Sequence, residues 1–282
     1  METRILVIGS NGMLGHEVLR AFRDAGYETW GTQRDTTNIQ DSKILQLDLL
    51  AEEKAIKVVL ETVHPSVVIN CAGVLKPLSD KDPSATIRVN SLAPHVLAKL
   101  TEHIQAKLIH ITTDCVYDGK KGNYSEEDIP SPPDLYGKSK LAGEVQYGKH
   151  LTVRTSIIGH ETRTQKYNLL DWFLQNTEAT CYGFTNHFWN GVTTTELAKF
   201  LLFLTEKKSD FQGLLHFYGE TVSKYHMLLL FKEVYSKQIE IKERTAAPCD
   251  RTLCSLRLAS LGYTVSPLKD QLLDLKRNNI TS

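Results

Sequence analysis

The amino-acid sequence predicts an α/β fold, a doubly wound parallel sheet followed by a smaller C-terminal lobe. Short β-branched runs alternate with longer helix-period segments over about the first 155 residues, a glycine-rich turn follows the first run, and the alternation weakens beyond Thr155. Candidate strands fall at 4–8, 28–32, 44–47, 67–70, 108–112 and 151–154, each short and apolar, as strands buried on both faces must be. Helical stretches at 13–25 and 85–105 lie between them. Two long connections, 74–83 and 117–135, carry Gly, Ser, Asp and Pro without apolar periodicity, and loops of that length in compact domains are functional. The expected division is a dinucleotide-binding unit at 1–158 and a mixed α/β lobe at 159–282, whose elements can interleave. The lobe's helices are expected at 169–176, 194–206 and 224–235, with Lys276-Arg277-Asn278-Asn279 as a solvated tail.

Composition narrows the function classes. The 282 residues suffice for a substantial core; apolar residues make up 41%, and 33 basic side chains balance 33 acidic ones, so no positive field of nucleic-acid size is expected. Cys71, Cys115, Cys181, Cys249 and Cys254 form no CxxC pair, which suits a reducing compartment and argues against structural zinc. The first apolar stretch is too short for a signal core or a membrane span. A cytoplasmic chain with no membrane or nucleic-acid partner is the expectation.

The run Ile5–Ile8 leads into Gly9-Ser10-Asn11-Gly12-Met13-Leu14-Gly15 and then an amphipathic helix. Gly9 permits the tight turn, Gly12 lets backbone approach a pyrophosphate, and Gly15 permits helix-on-strand packing, with the anion at the helix N-terminus. This is the Rossmann arrangement, and a ligand-free glycine turn is the competing reading. About 20 residues further on, where an acid usually meets the ribose hydroxyls, stand Gln33 and Arg34. An amide does not repel a 2′-phosphate and a guanidinium pairs with it, which favours NADPH; Asp35 keeps NADH open. An exposed loop charge is the other reading of Arg34. Asp48 and Leu49 are placed to hold the adenine, with a helix N-cap as the competitor at Asp48.

The fifth strand ends in Thr112-Thr113-Asp114-Cys115-Val116-Tyr117, and Tyr136-Gly137-Lys138-Ser139-Lys140 follows the polar loop. A spacing of four puts Tyr136 and Lys140 on one helix face, where an ammonium lowers a phenol's pKa toward neutrality. A phenol so tuned exchanges a proton in catalysis. The spacing alone is expected about once by chance in a chain this rich in Tyr and Lys.

In order and context these segments resemble the extended, nucleotide-sugar-modifying branch of the short-chain dehydrogenase/reductases. The match rests on GSNGMLG, Asn70-Cys71-Ala72-Gly73, Thr112-Thr113-Asp114 and YGKSKLAGE. Within the branch, TTDCVYDG with YGKSKLAGE is most similar to the dTDP-4-dehydrorhamnose reductase family. Arg154-Thr155-Ser156, Asn168-Leu169-Leu170 and Asn190-Gly191-Val192-Thr193 look like degraded forms of that family's RTSW, NF and GxPT elements. The resemblance makes Tyr136 the general acid, Thr113 a donor to the reacting carbonyl, and Lys140 the anchor of the nicotinamide ribose. It puts Asn11, Gly12 and Met13 at the pyrophosphate within the Gly9–Gly15 turn, Cys71, Ala72 and Gly73 beside the adenosine, and Asp114 on the sugar.

Three departures bear on substrate. Cys115 stands where 4,6-dehydratases carry an acid, and at the spacing of the epimerase-reductase cysteine that acts with a histidine; His160 and His187 are the candidate partners, and a small buried side chain is the alternative. Ile157 replaces a substrate-contacting Trp, while Tyr182, Phe184, His187, Phe188 and Trp189 offer either a base-stacking surface or core. Asn168 falls in the substrate-side NF element, and Arg251 is the candidate for the nucleotide diphosphate, against a surface ion pair. The implied activity is NADPH-dependent reduction of the C4 ketone of a 4-keto-6-deoxy nucleotide sugar for surface polysaccharide, with the homodimer common in the family as the implied assembly. The alternatives are an epimerase-reductase of a GDP-linked sugar through Cys115, and an idle regulatory subunit of the same fold, like the β subunit of methionine adenosyltransferase.

Overall fold

Seven parallel strands build the central sheet of the computed structural model, which describes residues 3–35, 40–162 and 168–280. The chain runs β1 (Arg4–Ile8), α1 (Gly15–Asp24), β2 (Glu28–Gln33) and β3 (Ile44–Gln46), then crosses through α2 (Glu53–Val63) to β4 (Val67–Asn70) on the far side of β1. The short helices α3 (Lys76–Ser79) and α4 (Pro83–Ile87) and a π-helical turn at Arg88–Leu92 lead into α5 (Ala93–His103). Then come β5 (Lys107–Thr113), α6 (Leu135–Ala142), β6 (Leu151–Thr155) and β7 (Ile157–Ile158). The remainder forms α7 (Leu169–Gln175), β8 (Thr180–Phe184), β9 (His187–Trp189), β10 (Val192–Thr193), α8 (Thr194–Lys207) and β11 (Gly213–His216). It ends with β12 (Val222–Ser223), α9 (Lys224–Tyr235), β13 (Glu240–Arg244), β14 (Cys249–Asp250), α10 (Leu256–Leu261) and α11 (Leu268–Ile280).

The sheet order is β11-β6-β5-β4-β1-β2-β3. Successive strand residues serve opposite faces, which is why these runs are apolar throughout. Ile5 and Val7 of β1 pack with Val18 and Phe22 of α1 and Phe200 of α8, while Leu6 and Ile8 join Ile56 and Leu60 of α2 and Leu97 of α5. The C-terminal lobe has a core of its own, from Leu170 and Phe173 through Met227 and Phe231 to Leu272 and Leu275. The two sections of chain interleave, because β11 is the edge strand of the large sheet and β10 pairs with β7.

The tail expected at 276–279 is instead part of α11. Leu268, Leu272 and Leu275 are buried on one face at helical spacing, and Lys276 Nζ donates to Val234 O at 2.8 Å. Among the described residues no helix is long and apolar enough to cross a membrane, and no group of three metal-ligating side chains converges.

The edge strand makes stability pH-dependent. His216 is fully buried; its Nδ1 faces Tyr124 O at 3.1 Å and Cys254 O at 3.2 Å, so Nδ1 carries the proton, and Nε2 accepts from Arg154 Nη1 at 3.3 Å. Burial, aided by the Arg154 charge, pulls it from 6.5 to about 4, and burial lowers His110 and His150 in the same direction. A histidine held neutral in the fold but free to charge when unfolded costs no stability above pH 6.5 and removes it as pH falls toward 4, by up to about 1.4 kcal/mol per pH unit for each such group. The melting temperature is therefore expected to fall steadily below pH 6.5, and His216→Asn to show a shallower slope; a flat profile from pH 7 to 5 would contradict this.

Candidate active site

The winding direction reverses between β1 and β4, and the crevice beyond their carboxyl ends is where such sheets take ligands. Gly9 has φ +78°, and a Cβ there would lie 3.1 Å from Ala72 Cα, so the turn after β1 and the segment after β4 close on one another. Cys71 N donates to Ile8 O at 3.1 Å, and Ala72 N to Asn70 Oδ1 at 3.1 Å. Gly15 tolerates no side chain, because its Cβ would stand 2.1 Å from Gly9 O. Among the described residues the backbone N–H groups of Asn11 and Met13 meet no acceptor, and they precede the positive end of α1. Free donors, glycine cradle and helix end together fit a dinucleotide pyrophosphate. Leu14 and Leu49 send their side chains into the core, leaving only backbone for a ligand. Arg34 is exposed at the end of β2. Asp48 does not cap α2, whose cap position is Glu52; its Oδ1 accepts from Leu50 N at 2.9 Å and closes a local turn.

The neighbouring crevice wall carries Thr113, Tyr136 and Lys140. Asp134 caps α6 by accepting from Gly137 N at 2.8 Å, and Gly137 permits the close approach, since a Cβ there would sit 2.3 Å from Cys115 O. Helix and strand end are thereby pressed together. Lys140 is 6% exposed and its Nζ donates to Ile111 O at 2.8 Å; burial draws the ammonium down to about 8. Thr113 Oγ1 accepts from Cys115 N at 3.1 Å and donates to Asp114 Oδ1 at 3.2 Å. The Tyr136 phenol moves opposite to expectation. Burial of its hydroxyl, with Cys115 and Asp114 nearby, pushes it above its ordinary value, and only hydrogen bonding with Thr113 opposes this. Lys140 is engaged by strand backbone instead, so Tyr136 stands as a protonated donor.

Asn90, in the π-helical turn, was not singled out by any motif. Its Oδ1 accepts from Val74 N at 2.8 Å, and its Nδ2 donates to Val74 O at 3.1 Å and Ser139 Oγ at 3.2 Å, tying the 74–83 connection to α6. Lys76 and Asp134, paired at 2.7 Å, join that connection to the 117–135 loop.

From the lobe, Arg251 reaches the same strand end, with Nε donating to Tyr117 O at 2.9 Å. Burial raises the Asp114 carboxyl, and the charges of Arg251 and Lys224 oppose the rise. Cys115 is pushed up to about 12 by burial and by Asp114. Neither candidate histidine pairs with it. His160 lies 3.3 Å from Asp171 Oδ1 and 2.9 Å from Tyr235 OH, and His187 Nε2 is 2.8 Å from Ala247 O. Asn168 is spent on its own helix, accepting from Asp171 N at 2.9 Å and donating to Asp171 Oδ2 at 2.9 Å. Ile157 lies in β7, paired with β10 and packed on the large core. The aromatic cluster divides. Trp189 is core, donating to Ser156 Oγ at 2.8 Å, and Phe188 is 41% exposed. Tyr182, Phe184 and His187, with Trp172 and Lys224, line a cavity of about 430 Å³. Lys224 is the other residue that motifs missed; its only signal is a cation at the first position of a helical stretch, three residues before the apolar run Met227–Phe231.

Crevice, glycine turn and the Thr–Tyr–Lys set define a dinucleotide-binding architecture of the short-chain dehydrogenase/reductase type. More particularly, the chain belongs to the family of the RmlD substrate-binding domain, whose model matches residues 3–252. It is 37% identical over 142 residues to methionine adenosyltransferase 2 subunit beta of Mus musculus, a match covering 50% of this chain and 41% of that protein, so it spans about two-fifths of that relative's length. The fold is similar to that of dTDP-4-dehydrorhamnose reductase from Bacillus anthracis in complex with NADP (TM-score 0.84, 19% identity, 98% of this chain and 99% of the other). It is also similar to a hypothetical dTDP-4-dehydrorhamnose reductase from Sulfolobus tokodaii (TM-score 0.81, 27% identity, 95% and 99%).

Proposed function

We propose that the protein reduces the C4 ketone of a 4-keto-6-deoxy nucleotide sugar with NADPH, NADH being the second choice of cofactor. The observation that carries this reading is that Tyr136 of α6 is in hydrogen-bond reach of Thr113 at the end of β5, with Lys140 one helical turn on and reaching Ile111 O, beside a glycine turn with free N–H donors. The cofactor supplies the hydride when bound. Asn11 and Met13 hold its pyrophosphate through backbone, Cys71–Gly73 border its adenosine side, and Lys140, fixed by Ile111 O, meets the nicotinamide ribose. Thr113 and Tyr136 hydrogen-bond the carbonyl oxygen where negative charge develops, and Tyr136 delivers the proton there. Asp114 and Arg251 border the sugar and its phosphates. The exposed Arg34 supports NADPH by pairing with a 2′-phosphate. We place the activity in the cytoplasm, in a homodimer.

Plain reduction is favoured over epimerisation-reduction, because Cys115 is held protonated and both candidate histidines are engaged elsewhere. The likeness to the mouse methionine adenosyltransferase subunit supports a second reading, a regulatory subunit that binds the dinucleotide without turnover. Purified protein is expected to consume NADPH faster than NADH with one of the dTDP-, UDP- or GDP-linked 4-keto-6-deoxy sugars, and NMR of the product to show C3 and C5 unchanged. Cofactor binding without consumption, together with a co-purifying partner, would replace this reading with the regulatory one.

A further inference from the structure

Lys224 is a cation that the catalytic set does not use. Among the described residues it has no carboxylate within ion-pair distance; its Nζ contacts Met227 Sδ at 4.0 Å and lies 5.3 Å from the Trp189 ring centroid. It stands at a boundary. On one side are Asp114 and Cys115 at the end of β5, with Cys249 and Arg251 from β14 and the residue after it, all within electrostatic reach of Lys224. On the other is the cavity of about 430 Å³ walled by Tyr182, Phe184, His187 and Trp172. The Phe184 and His187 rings are stacked at 4.5 Å between centroids, and His187 is anchored by Ala247 O, so that wall is preformed.

Lys224 and Arg251 both face the buried Asp114 carboxyl, while Asp134, which Arg251 also feels, is paired with Lys76, so net positive charge is left at this boundary; burial already draws the Lys224 ammonium down to about 8. A half-buried cation without a carboxylate partner has lost part of its hydration uncompensated, and an anion seated between Lys224 and Arg251 relieves that cost. The geometry also gives that anion neighbours on both sides, with the proton-donating wall toward β5 and an aromatic slot toward β8.

We propose that Lys224 determines nucleotide recognition, seating a phosphate of the nucleoside diphosphate together with Arg251 while the base enters the slot formed by Tyr182, Phe184, His187 and Trp172. This deepens the nucleotide-sugar reading and rests on it. The assignment of Lys224 needs no turnover to be tested, because a nucleoside diphosphate alone fills the seat and the slot. Trp172 lines the slot and Trp189 lies under the ammonium, so intrinsic fluorescence reports occupancy.

Titration of the whole protein with UDP, dTDP and GDP is expected to quench that fluorescence for at least one of them. Lys224→Met, which keeps an unbranched side chain and removes the charge, weakens that binding about 10- to 100-fold, the scale of a lost charge-assisted contact. Lys224→Arg retains most of it, and NADPH binding by both variants stays at the wild-type level, which shows that they fold. Tyr182→Ala weakens the corresponding nucleoside as well as its diphosphate, whereas Lys224→Met weakens only the diphosphate. Equal affinity of wild type and Lys224→Met for the diphosphate overturns the assignment, as does wild type that binds NADPH and none of the three diphosphates. Diphosphate binding lost in Lys224→Met, in a protein that reduces no ketosugar, would leave the seat standing and remove the reductase reading alone.

Discussion

Tyr136→Phe is expected to slow ketosugar reduction by about 10²- to 10⁴-fold while the dissociation constant for NADPH stays within about twofold, because the change removes one oxygen from a group whose only reactive contribution is a proton. The phenol is suited to that task in an instructive way. Burial and the nearby Cys115 and Asp114 keep it protonated, so in the proposed reduction it would serve as an acid with its proton in place. In the proposed reduction the proton would be needed only as negative charge develops on the carbonyl oxygen, and an oxygen of alkoxide basicity takes a proton from a phenol even when the phenol's pKa is raised. Thr113→Ala is expected to cost less, about 10- to 100-fold, since it removes one hydrogen bond to that oxygen and leaves the acid. Rapid-mixing measurement of cofactor oxidation, with NADPH binding measured separately, checks both; near-normal turnover by Tyr136→Phe would take the chemistry away from this wall.

The residues legible in the sequence are those whose role is local. Gly9, Gly12 and Gly15 announce themselves because turn, backbone approach and packing all fall within seven residues, and Tyr136 and Lys140 because one helical turn separates them. Even there, spacing misled on electrostatics. It put the ammonium against the phenol, whereas the carbonyl of Ile111, 29 positions away, takes the ammonium. Burial then decides the sign of the phenol's shift, and burial is a property of the assembled layers. β11 lies within 159–282 and its four residues carry no readable alternation, so only its pairing with β6 shows it to be the sheet's edge. Lys276 read as solvated because its neighbours are polar, while the apolar partners that make α11 amphipathic lie one and two turns earlier. Lys224 and Asn90 carry no motif, and their meaning comes from what other segments bring to them.

The same distinction explains why the largest stability effect should come from Glu144 and Arg154, which lie in two separate motif segments whose spacing does not show that they meet. Glu144→Gln is expected to destabilise the protein by about 3–5 kcal/mol, lowering the melting temperature by about 10 °C. Arg154 and Glu144 are each 2% exposed in their side chains; Nε meets Oε1 at 2.7 Å and Nη2 meets Oε2 at 2.6 Å, a two-point pairing that satisfies both groups away from water. Neutralising the carboxylate leaves a buried guanidinium without its counter-charge, and that uncompensated charge, more than the lost attraction, sets the size of the loss. The consequence reaches the active site through one hydroxyl. Arg154 Nη1 donates to Tyr117 OH at 2.7 Å, Tyr117 OH donates to Ser125 O at 2.9 Å, and the Tyr117 ring stacks on Tyr124 at 4.1 Å. Tyr117 closes the segment that begins with Thr113, and its carbonyl holds Arg251. Glu144→Gln is therefore expected to raise the KM for the nucleotide sugar as well as to lower the melting temperature. Arg154→Met combined with Glu144→Leu should recover much of the stability, since an apolar pair of similar volume leaves no buried charge, and the double variant should be far more stable than the sum of the single losses implies. Additive losses in that cycle, or a fall below about 1 kcal/mol for Glu144→Gln, would mean that the guanidinium finds water or another acceptor and that the 117–135 loop is held by its stacked tyrosines alone.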